Sequence, residues 1–181
     1  WLAKGVVKFP QVRVTYPAVH LKDRAVYLVG STDPVPGGSI RDYQQMFFTW
    51  SDDVTTGKFH DWVELVNREK TGGYVHSLDL RFVDDSRGKR VHVVWYDRLL
   101  SLDRSFQAKY APGLRQRISL NHSIIKDGKM VSTRPIVLGY GDGEGEIPSR
   151  VARFHSTPDG RLLVLHHVTD PHHEMRVAEV F

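Results

Sequence analysis

Tyr96-Asp97-Arg98 sets a phenol, a carboxylate and a guanidinium side by side at the end of an apolar run. A phenol or carboxylate can attack a carbon or exchange a proton, and a guanidinium grips anions through its planar fork. His76, whose imidazole titrates near neutrality, is a natural general base to set beside them. His76, Tyr96 and Asp97 are therefore the candidate catalytic residues. Arg98, Arg150 and His167 are the candidate substrate contacts, with the two arginines suited to an acidic substrate. The pairs His166-His167 and His172-His173 invite a metal. Neighbouring residues of a strand face opposite ways, however, so His166 and His167 cannot hold one ion from a regular strand. The run Gly141-Asp142-Gly143-Glu144-Gly145-Glu146 is acidic but lacks the ligand spacing of an EF-hand loop, and reads as solvated. The expected site needs neither metal nor cofactor.

These residues need a scaffold, and the strand signals provide it. Val26–Val29, Met46–Trp50, Val91–Tyr96, Ile118–Leu120 and Leu162–Leu165 are short, β-branched or aromatic, and bounded by turn residues. Asp127-Gly128 and Asp159-Gly160 mark tight hairpins, and no amphipathic helix competes with the strands. The strands beginning at Val26, Val91 and Leu162 recur at near-equal intervals. Each follows another strand and a polar turn, and the first two lead on to two more strands. A four-stranded antiparallel unit repeated in this way is the mark of a β-propeller, with blades at residues 10–66, 72–140 and 147–181. A β-sandwich is the competing all-β architecture. A ring of four to eight blades needs more than these, so the propeller reading expects the remaining blades outside this chain.

The chain has 181 residues, a formal net charge of +4 and no cysteine. Without cysteine there is neither a disulfide framework nor a thiolate metal site. The arginines are scattered from Arg13 to Arg176, without the basic stripe of a nucleic-acid binder, and no apolar run is long enough for a membrane helix. Partners are expected to be neither nucleic acid nor membrane.

From Trp50 to Trp62, through Ser51, Asp52, Asp53 and Gly57, the chain resembles the Asp-box hairpin of sialidase-like propellers, and Val93–Asp97 is similar to the second strand of BNR-type blades. The resemblance implies that Ser51, Asp52, Asp53 and Gly57 hold a turn, that Trp62 packs the blade, and that the active face is the opposite one. That face would carry the loops Ser31–Tyr43, Lys70–His76, Tyr96–Arg104, Tyr140–Arg150 and His166–His173. It further implies a carbohydrate-active protein: a glycoside hydrolase on anionic or complex glycans, a lyase on uronic-acid polysaccharides, or a non-catalytic glycan- or protein-binding propeller. The Arg-Ile-Pro segment of sialidases proper is missing. A secreted or periplasmic location follows from the resemblance alone.

Overall fold

A computed structural model describes residues 14–32, 43–170 and 173–180. The chain is all-β, and its described residues form three antiparallel sheets whose strands follow one another in sequence. The first sheet runs β1 (Val14–Lys22), β2 (Ala25–Thr32), β3 (Gln45–Ser51), β4 (Val63–Asn67). The second runs β5 (Gly72–Asp85), β6 (Gly88–Leu100), β7 (Arg117–Lys126), β8 (Lys129–Tyr140). The third runs β9 (Ile147–Ser156), β10 (Leu162–Asp170), β11 (Glu174–Glu179). One short helix, α1 (Arg104–Tyr110), interrupts the β6–β7 connection, capped by the Asp103 carboxylate on the N–H groups of Ser105 and Phe106. At seven residues it spans too few turns to leave a periodic signal in the sequence.

The sheets stack, and the two-residue period of a strand decides which core each side chain enters. Val91, Val93 and Trp95 of β6 join Tyr27, Val29, Met46 and Phe48 of the first sheet in one apolar cluster. Val94 and Tyr96 join Ala152, Leu162, Val164 and Val168 of the third sheet in another. The second sheet is thus covered on both faces, which is why β6 reads Val-His-Val-Val-Trp-Tyr without polar alternation and is buried from Val91 to Asp97. The first strands of the sheets lie together, with β5 packed against both β1 and β9.

Two glycines fix local geometry. Asp127 and Gly128 both have positive φ (50° and 72°), as a two-residue type I′ hairpin demands, and a Cβ on Gly128 would lie 2.9 Å from the Trp50 ring. A Cβ on Gly73 would meet the carbonyl oxygens of Arg98 and Leu99 at 2.4 Å, so only glycine lets β5 and β6 approach closely there. The Asp-box-like segment forms the β3–β4 connection. Asp53 accepts the Thr55 N–H at 3.0 Å and pairs with Arg24 from the β1–β2 turn. It is Trp50 whose ring stacks on His60, with centroids 4.0 Å apart, while Trp62 is half-buried.

Candidate functional site

Immediately after Gly73, β5 presents Tyr74 and His76 on one face, and the register places Tyr74 opposite Arg98 and His76 opposite Tyr96. Cross-strand pairs of this kind hold their side chains in contact. The Tyr74 and Tyr96 rings meet edge to face at 5.8 Å, and the Arg98 guanidinium carbon lies 5.3 Å from the Tyr74 centroid. Arg150, from β9 of the next sheet, brings its guanidinium carbon to 5.4 Å from the same ring and donates a 3.0 Å hydrogen bond to the Tyr74 hydroxyl.

Tyr43 closes the cluster from the first sheet, its ring 5.1 Å from Tyr74 and 5.5 Å from His76. Its φ of 58° is a left-handed conformation that a bulky side chain adopts only under constraint. The constraint is two backbone hydrogen bonds, Tyr43 N–H to Thr32 at 3.0 Å and Val75 N–H to Tyr43 at 2.6 Å. Strain of this sort costs about 1–3 kcal/mol and concentrates at functional sites.

Four of the six residues proposed from sequence therefore converge: His76, Tyr96, Arg98 and Arg150. The other two stand elsewhere. Asp97 points away from Tyr96 and Arg98 and is wholly buried, its two oxygens taken by Arg68 at 2.9 and 3.0 Å, with Arg117 at 3.3 Å. His167 packs at 5.9 Å against His173 on the third sheet, while its neighbour His166 is buried on the opposite face. Tyr43 and Tyr74 lie in two of the segments assigned to the active face, Ser31–Tyr43 and Lys70–His76, but were not singled out as site residues. Tyr74 had a usable signal, two residues before His76 on the same strand and hence on the same face; Tyr43, at the end of a loop, had none.

Electrostatics separate the roles. Burial, then the positive charges of Arg150 and Arg153, lowers the His76 pKa, so the imidazole is neutral at pH 7. Burial raises the Tyr96 pKa, outweighing the opposing pull of Arg98 and Arg150, and the phenol keeps its proton. Arg98 loses hydration on burial, which lowers its pKa. Its buried Nε has no hydrogen-bond partner among the described residues. Arg24, Arg68, Arg90, Arg115, Arg161 and Arg176 each pair with a carboxylate, whereas Arg98 and Arg150 have none among the described residues. Two guanidiniums with no carboxylate partner among the described residues, beside an aromatic ring, have the chemistry to engage an anion.

The acidic run near Arg150 is tied down. Asp142 and Glu144 pair with Arg115, which lies 3.8 Å over the Tyr140 ring, and Glu146 pairs with Arg176. Of the five loops assigned to the active face, residues 33–42 and 171–172 fall outside the described residues. No protein-family model matches the chain, and a comparison with curated proteins finds no significant match.

Proposed function

We propose that the chain contributes consecutive blades to a β-propeller that binds a carboxylate-bearing glycan and cleaves it by β-elimination. Two features support the propeller: sequential antiparallel sheets stacked face to face, and adjacent first strands β1, β5 and β9. The exposed Val151, Leu165, Met175 and Val177 of the third sheet suit burial beneath a further sheet.

The observation that carries the chemistry is the approach of both Arg98 and Arg150 to the Tyr74 ring, neither guanidinium paired with an acid among the described residues. Glycoside hydrolysis uses carboxyl groups as acid and nucleophile or base, and the Asp97 carboxylate is committed to Arg68 and Arg117. Elimination needs only a clamp on the substrate carboxylate, a base and a proton donor. Arg98 and Arg150 hold the carboxylate and stabilise the charge that develops when the adjacent C–H is deprotonated. His76, neutral at pH 7, takes that proton. The electron pair forms the carbon–carbon double bond as the glycosidic C–O bond breaks. Tyr74 gives its proton to the leaving oxygen, and the negative charge left on the phenol faces the Arg150 N–H. Tyr96 stays protonated and packs against Tyr74.

The test is to incubate the protein with polyuronates and follow the ultraviolet absorbance of the unsaturated product. His76→Ala and Arg98→Met should each lower kcat by about a hundredfold, the scale of losing an acid–base or clamping group. New reducing ends without ultraviolet absorbance would favour hydrolysis. Tight binding without either product would assign the cluster to recognition.

A further inference from the structure

Beside the tyrosine cluster, the strands β1, β5 and β9 border a second, open pocket. The register of β1 shifts between Thr15 and Ala18, and that of β5 between Ser77 and Asp79. Such bulges re-aim side chains and release backbone groups from the ladder. Pro17 and Ala18 of β1, His76 to Asp79 of β5, and Arg150 and Arg153 of β9 line a cavity of about 410 Å³ between them. At the bulge, the Leu78 carbonyl accepts a 2.7 Å hydrogen bond from Arg153 Nη1, which also donates to the Ala152 carbonyl at 2.8 Å. One nitrogen of the guanidinium is thus anchored by two neutral acceptors, and its charge is not cancelled by them.

The one carboxylate in the cavity wall is occupied. Asp79 accepts the Phe154 N–H at 2.8 Å and the Leu80 N–H at 2.9 Å, fastening β9 to β5. Arg153 has no ion pair among the described residues. The wall therefore sets two guanidiniums against one carboxylate, a net positive lining, and burial together with the charges of Arg150 and Arg153 lowers the pKa of His76 beside it. Arg150 and His76 belong to both this wall and the tyrosine cluster, so the two adjoin.

We infer that this cavity is a second anion subsite, with Arg153 gripping a carboxylate or sulfate ester on the sugar next to the one clamped by Arg98 and Arg150. The ligand class is a glycan charged on consecutive residues. The glycan identity rests on the function proposed above; the anion subsite itself does not.

Three oligosaccharide probes decide the matter by calorimetry: oligogalacturonate, with a carboxylate on every residue; hyaluronan oligomers, charged on alternate residues; and chondroitin sulfate oligomers, in which sulfate occupies the intervening sugar. Arg153→Gln should weaken oligogalacturonate about tenfold if the subsite takes a carboxylate, or chondroitin sulfate about tenfold if it takes a sulfate ester, the scale of one charge-assisted hydrogen bond. Hyaluronan affinity should stay within about twofold. Arg98→Met should weaken all three. Equal losses on every probe with Arg153→Gln, or no loss on any, overturn the inference. If none of the probes binds the unmodified protein, the glycan reading fails, and the subsite is judged by inorganic sulfate. A saturable shift of the Arg153 side-chain N–H resonance, absent from Arg104 and Arg81, upholds an anion site; uniform linear drift overturns it.

Discussion

His92 and His122 pair across β6 and β7 between the second and third sheets, Nδ1 of one 2.9 Å from Nε2 of the other, both about 97–98% buried by their exposures of 2% and 3%. One ring nitrogen carries the shared proton and the other accepts it, an arrangement that requires at least one neutral imidazole. Burial, then His122 and Arg90, pushes the His92 pKa from 6.5 down to about 4; burial and Arg134 push His122 down to about 4. Asp85 pulls the other way on His92, and Arg87 adds to the repulsion. The folded state thus binds fewer protons than the unfolded chain between these values. The stabilisation is present in full above 6.5 and is lost as pH falls toward 4. At about 1.4 kcal/mol per pH unit for each group, acidification from about pH 7 to about pH 5 removes about 2 kcal/mol per histidine and about 4 for the pair. Urea unfolding at the two pH values measures this directly. The double variant His92→Gln/His122→Gln should lose about 4 kcal/mol less between them than the parent, and single variants about half that. The other buried histidines and the carboxylates contribute equally to both proteins and cancel. If parent and double variant lose the same stability, the pair is charged or solvated in the fold and the reasoning fails.

Asp97→Asn should destabilise the protein by about 3 kcal/mol, since it leaves the part-buried Arg68 without its carboxylate; thermal melting checks it, and an unchanged Tm would return Asp97 to the list of catalytic candidates. Val151, Leu165, Met175 and Val177 leave an apolar sheet face uncovered, so the isolated chain should self-associate, with Leu165→Lys/Val177→Lys restoring a monomer in sedimentation. A monodisperse parent at all concentrations would count against stacking of a further sheet.

The strands were written in the sequence because their signal is local. β-Branched and aromatic runs such as Val91–Tyr96, punctuated by Asp-Gly turns, specify pleated segments and hairpins without help from distant residues. The antiparallel succession of strands was legible for the same reason, through the recurrence of Val26, Val91 and Leu162 at the heads of equivalent strands. The convergence of His76, Tyr96, Arg98 and Arg150 was only half legible. Sequence could place them near strand ends, but not say which face each would take. Asp97 shows the difference: one residue separates it from Tyr96 and Arg98, and the pleat sends it to the other side, onto Arg68. Arg150 meets Tyr74 only because the third sheet stacks on the second, a contact 76 residues long in sequence. Tyr43 enters through a left-handed backbone held by partners on β2 and β5. The pairing of His92 with His122 likewise depends on the register of β6 against β7, which the two-residue period leaves free to slip in steps. Local chemistry determined the elements; stacking, register and the pleat decided which charges were spent on ion pairs within the fold and which have no carboxylate partner among the described residues.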